Sequence, residues 1–68
     1  MKIFAKRLIE LRNQNKYTQR FMAEKLGISQ PSYIRYEQDT AEPTYEKLVL
    51  IADLFDVSAD YLLGRTNY

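Results

Sequence analysis

The sequence predicts an all-α fold, a compact bundle of five helices, and three observations predict it. Apolar residues recur at helical spacing along the chain. Four hydroxyl residues, Thr18, Ser29, Thr44 and Ser58, stand where helix N-caps are needed. No part of the 68 residues alternates apolar and polar side chains as a half-buried strand does, and no repeat or low-complexity tract is present.

Phe4, Leu8 and Leu11 form an i, i+4, i+7 stripe, which predicts a first helix ending in the polar stretch Asn13-Gln14-Asn15-Lys16. Thr18 caps a short second helix whose apolar face is Met22, Ala23 and Leu26. Gly27 follows at once, where a residue without Cβ takes the left-handed conformation that stops a helix. Ser29 caps a third helix with Pro31 in its first turn, where the missing N–H costs nothing. Tyr33 and Tyr36 face inward, and this helix runs out near Glu37. A polar loop, residues 38–43, closes on Pro43, and Thr44 caps a fourth helix over Tyr45 to Phe55. Ser58 caps a short fifth helix, Asp60 to Leu63, ended by Gly64. None of the four caps has Glu or Gln three residues on, so they are single caps, not capping boxes.

A chain of this length makes one domain, 1–68, with a thin margin of stability. It has no Cys and no His, which excludes disulfides and thiolate or imidazole metal sites, and no cofactor is expected. Lys6, Arg7 and Glu10 interrupt the apolar run a signal peptide needs, and no stretch reaches the roughly 18 apolar residues of a membrane span. A soluble, cytoplasmic protein with no membrane partner is expected.

The net charge of +1 hides a polarity along the chain. Residues 1–36 hold eight basic side chains (Lys2, Lys6, Arg7, Arg12, Lys16, Arg20, Lys25, Arg35) against Glu10 and Glu24. Residues 37–68 hold Lys47 and Arg65 against seven acids. Such a split suits a protein that turns one face toward a polyanion; the bland alternative is solvated helix faces segregated by chance. An enzyme is not expected: besides lacking His and Cys, the chain has no phosphate-cradling glycine loop and no acid pair placed on one face.

Two short helices joined by Gly27-Ile28-Ser29 must meet at a steep angle, as in a helix-turn-helix. Ala23 must then be small because the next helix crosses close by, and Ile28 plugs the corner. Here the chain resembles a known family. Thr18-Gln19, Ala23-Glu24-Lys25-Leu26-Gly27-Ile28-Ser29-Gln30, Arg35-Tyr36-Glu37, Pro43-Thr44 and Val57-Ser58 with Asp60-Tyr61-Leu62-Leu63-Gly64 are similar to the Cro/phage-repressor (Xre) type of helix-turn-helix domain. The resemblance runs from about Leu8 to Gly64.

The resemblance implies a lambda-repressor-like bundle whose third helix enters the major groove of double-stranded DNA as a transcriptional regulator, a repressor in the first instance. It places Gln30, Pro31, Ser32 and Arg35 at base edges. Gln30 carries the amide fork that suits adenine and Arg35 the guanidinium fork that suits guanine. Pro31 offers apolar contact to a thymine methyl. Gln19 falls where the family binds phosphate, and Arg12 and Glu37 match its internal salt bridge. Thr18, Ser29, Lys6, Arg7, Lys16, Arg20 and Lys47 are expected along the DNA backbone. Tyr33 fills a core position often held by a β-branched residue, and its hydroxyl needs a partner, a phosphate being one candidate. The loop at Asp39 to Glu42 is acidic where relatives commonly carry Lys or Arg.

The fourth helix is apolar on more than one side. Leu48, Ile51, Ala52 and Phe55 make the core stripe, with Leu50 and Leu54 off it. A homodimer surface using Leu50, Leu54, Leu63 and Tyr68 is expected, its two-fold axis matching a palindromic operator. The alternative for these leucines is scattered exposure on a monomer that dimerises only on DNA. The rival function is an antitoxin-like or regulatory interaction module that binds an unknown protein partner and touches DNA secondarily. No effector domain is expected after Tyr68.

Overall fold

The computed structural model describes residues 2–67. Five helices run in order: α1 Lys2–Gln14, α2 Gln19–Leu26, α3 Gln30–Glu37, α4 Tyr45–Phe55 and α5 Ala59–Leu62. No strand occurs among the described residues. The fifth helix sits one residue earlier than the sequence suggests, because Ala59 already follows the Ser58 cap.

Each cap residue holds extended backbone, and its side chain accepts from the N–H three residues on. Thr18 accepts from Phe21, Ser29 from Ser32, Thr44 from Lys47 and Ser58 from Tyr61. Each bond satisfies a donor that the first helical turn leaves without a partner. The helix ends are less uniform. Gly27 stops α2 at φ 67°, and a Cβ there would meet nothing within 4 Å, so conformation and not space calls for glycine. Gly64 is the reverse case as well as a turn: at φ +80° an added Cβ would lie 2.5 Å from Ile3 Cγ2. Gly64 therefore has no room for a side chain beside Ile3 at the start of α1. Asp56 closes α4 in the left-handed region at φ 54°, where an L side chain is strained and an acid opposes the helix dipole.

The core joins all five helices. Leu8, Met22, Leu26, Tyr33, Ile51 and Leu62 are fully or almost fully buried, with Phe4 beside them. Burial of so much apolar area at about 25 cal/mol per Å² is what offsets chain entropy in a body measuring 29 × 23 × 19 Å. Ala23 is 3% exposed where α3 crosses α2, which leaves no room for a larger side chain. Edge-to-face contacts link Phe4 to Tyr36 (6.5 Å between centroids) and Tyr33 to Tyr36 (6.2 Å). A second aromatic group, Tyr17 on Phe21 and Phe55, fastens the α1–α2 loop to α4. In α4, Ile51 and Ala52 are buried while Leu48 and Phe55 are half-buried against the core. Leu54 packs on the core too, so it is not wholly off the stripe as the spacing suggested.

Candidate nucleic-acid interface

The site is built on α3, and α3 is held by one carboxylate. Glu37 Oε2 accepts from Arg12 Nε (2.6 Å) and from the Tyr33 hydroxyl (2.5 Å). Glu37 Oε1 accepts from a terminal nitrogen of Arg12 and from Gln19 Nε2, both at 3.1 Å. The remaining terminal nitrogen of Arg12 donates to the Tyr17 carbonyl at 3.1 Å. One acidic side chain at the end of α3 thus ties together α1, the start of α2 and its own helix. The Arg12 and Glu37 side chains are only 16% and 6% exposed, so the pair is shielded from water and salt.

Titration follows from this arrangement. Burial pushes the Glu37 carboxyl upward, but the hydrogen bonds from Arg12, Tyr33 and Gln19, with the charge of Arg12, outweigh it and hold the group below its ordinary value. The Arg12 guanidinium is raised, first by its hydrogen bond to Glu37. Tyr33 is pushed far above the usual phenol range by burial and by the neighbouring carboxylate. Its ring is completely buried and its hydroxyl donates a hydrogen bond to Glu37. Tyr33 is therefore corrected from a phosphate contact to a core residue that also braces the Glu37 carboxylate.

The solvent side of α3 presents Gln30, Pro31 and Arg35, all exposed. Pro31 and Arg35 are four apart and share one face. Ile34, four after Gln30 and half-buried, borders that face; the sequence reading passed over it although the spacing signals it. Ser32 stands apart from the other three. It is half-buried, and its Oγ accepts from the Ser29 hydroxyl at 2.9 Å.

Among the residues assigned to the backbone, Lys6, Lys16, Thr18, Arg20 and Ser29 are exposed. Arg20 makes a solvated i, i+4 pair with Glu24, its side chain 80% exposed, a contact weak enough to exchange for a phosphate. Lys47 is half-buried on the first turn of α4. Gln19 uses one amide proton on Glu37, which fixes the direction of the other. Arg7 is a second correction. Its guanidinium donates to the carbonyls of Tyr61 and Thr66 and to Asn67, and it lies 4.2 Å from the Tyr61 ring centroid. That set of contacts clamps the C-terminal segment onto α1 and engages the guanidinium within the fold, so Arg7 is not counted among the phosphate contacts.

Of the residues assigned to a dimer surface, Leu50 and Leu63 are 39% and 37% exposed and Leu54 is half-buried. Tyr68 lies outside the described residues. Ile3, Tyr45 and Val49 are further exposed apolar side chains that the sequence pattern did not single out. Among the described residues no cluster of acids could hold a metal ion, and no helix is long and apolar enough to cross a membrane.

Comparison with known proteins agrees with the geometry. The Helix-turn-helix family profile matches residues 8–62. The chain is 45% identical over 65 residues to an uncharacterised HTH-type transcriptional regulator, YobD, of Bacillus subtilis, covering 96% of this chain and 58% of that protein. It is 47% identical over 66 residues to a second such regulator of that organism, YqaE, covering 96% and 57%. The cryptic phage CTXphi transcriptional repressor RstR of Vibrio cholerae is 46% identical over 59 residues, covering 87% and 53%. The chain thus spans between half and three-fifths of the length of these relatives. No solved structure matches it significantly. With the profile covering most of the chain, and with a capped α2, a Gly27 turn and a capped α3 in the matched span, the chain belongs to the Xre-type helix-turn-helix family.

Proposed function

We propose that this chain binds double-stranded DNA sequence-specifically as a transcriptional regulator, a repressor in the simplest case, with α3 in the major groove. The observation that carries the reading is the exposed face of α3, Gln30, Pro31 and Arg35, held rigidly from behind by Glu37. A reading helix must keep its forks in register with base edges, and a buried network is a good way to fix that register. Arg35 reads guanine and Gln30 adenine, while Pro31 touches a thymine methyl. Ser32 adds a donor through its own hydroxyl proton, since its oxygen already accepts from Ser29. Gln19, Thr18, Ser29, Lys6, Lys16, Arg20 and Lys47 serve the phosphates. The names of the relatives, all regulators, support the same reading.

The regulator acts as a homodimer on a palindromic operator. Its self-association surface centres on Leu50 and Leu54 of α4, with Leu63 and Tyr68 at the end of the chain. Two copies related by a two-fold axis place two copies of α3 in successive major grooves.

Salt dependence tests the DNA-binding reading. Lys6, Lys16, Arg20 and Lys47 give about four neutralised phosphates per copy, hence a log–log slope of about −4 per bound copy at roughly −0.9 per phosphate. Glu42→Lys, placed in the acidic loop between α3 and α4, is expected to steepen that slope by about one and to raise affinity for any duplex. Fluorescence anisotropy on labelled duplex between low and moderate salt measures both. Duplex binding that is absent, or indifferent to salt, contradicts the reading.

A further inference from the structure

The two-fold reading gives the two copies apolar contacts but no charged pairing, and a groove between α2 and α4 offers one. It encloses about 280 Å³ and is lined by Lys25, Leu26, Leu50, Asp53 and Leu54. Leu26 is buried, whereas Leu50 remains 39% exposed. The walls carry opposite charges, Lys25 from α2 and Asp53 from α4. Both side chains are exposed, and among the described residues neither has an ion-pair partner, unlike Arg20 with Glu24 and Arg65 with Asp60. Lys25 lies only over the Phe21 ring, 5.4 Å from its centroid.

From this we infer that the groove is a self-complementary interface, in which Lys25 of each copy pairs with Asp53 of its partner copy around the apolar contact of Leu50 and Leu54. The inference rests on the homodimer reading above and specifies it. A two-fold rotation that sets α4 of one copy against α2 of the other brings both unlike pairs together at once. A ligand of single charge meets like charge on one wall, so charge complementarity favours a second copy over an acidic or a basic peptide.

Charge exchange tests this directly. Lys25→Asp and Asp53→Lys are made singly, checked for helix content by circular dichroism, and compared with the wild-type chain by sedimentation equilibrium. Each single variant turns two attractions into two repulsions and is expected to weaken self-association by about tenfold. Mixing the two variants is expected to restore association as a heterodimer. The two exchanged side chains then attract each other across one contact, and the native Lys25 of one variant meets the native Asp53 of the other across the second. Recovery in the mixture, which simple damage to either surface does not produce, supports the pairing. Wild-type association that neither exchange alters overturns the pairing while leaving the homodimer standing. A wild-type chain that stays monomeric throughout the concentration range overturns both.

Discussion

Glu37→Ala is expected to destabilise the fold by about 3–5 kcal/mol, the usual cost of leaving one partner of a shielded ion pair uncompensated. A domain of this size has a total stability of only about 3–10 kcal/mol, so the variant is expected to be largely unfolded near its former melting temperature. The loss is steep because four hydrogen bonds converge on one carboxylate, from two nitrogens of Arg12, from Gln19 and from Tyr33. Removing it leaves the Arg12 side chain, only 16% exposed, charged and short of acceptors. Replacing both partners together, as Arg12→Met with Glu37→Leu, is expected to recover only part of the stability: it removes the uncompensated charge but leaves the buried Tyr33 hydroxyl without its acceptor. Urea denaturation of the two variants and the wild type measures both effects; equal midpoints for Glu37→Ala and wild type rule the network out as a structural tie.

The same network sets a pH dependence whose sign is fixed by the direction of the shift. The folded Glu37 carboxyl lies below its unfolded value. Its contribution is therefore complete above the unfolded value and is lost as pH falls through the folded one. Wild-type stability is expected to decline on the acid side of about pH 5, and Glu37→Gln to show a shallower decline over that interval.

Arg35→Ala is the second large effect, and it falls on binding instead of stability. Arg35 is exposed on the solvent face of α3, and the core residues Tyr33 and Tyr36 that seat the helix are untouched, so folding is expected to be unchanged. Losing a bidentate contact to a base costs about 1–3 kcal/mol per half-site, a fall of roughly fivefold to 150-fold in affinity for each half-site, applied twice when a dimer occupies both. Binding to unrelated duplex is expected to fall far less, since it depends on the phosphates and not on bases. Competition titration with specific and unrelated duplexes separates the two. An equal loss on both makes Arg35 a phosphate contact and moves base reading to Gln30 and Pro31.

Most of the architecture was legible because it is written in local signals. Thr18, Ser29, Thr44 and Ser58 mark four helix starts within one residue, and Gly27 marks the turn. What was not legible depends on long-range geometry. Arg7 and Tyr33 both carry the right chemistry for a phosphate, yet one is spent on the C-terminal segment and the other on Glu37. Nothing in the spacing of Arg7 announces a partner more than fifty residues away. Tyr33 is different: Glu37 follows it by four, one helical turn, so the pair could have been read from the sequence. The same limit applies to Leu54. Periodicity puts it beside the core stripe, and only the closeness of α2 decides that it is half-buried.

Selection of bound sites from a pool of random duplex DNA, using the wild-type chain, decides whether α3 reads base sequence as part of a two-fold assembly, as proposed above. The expected product is an inverted repeat with half-sites about one helical turn apart, enriched in guanine at the position that Arg35→Ala leaves undefined. A pool that retains its starting composition after repeated rounds, with binding still salt-dependent, contradicts sequence reading by α3. A motif without two-fold symmetry contradicts the assembly alone.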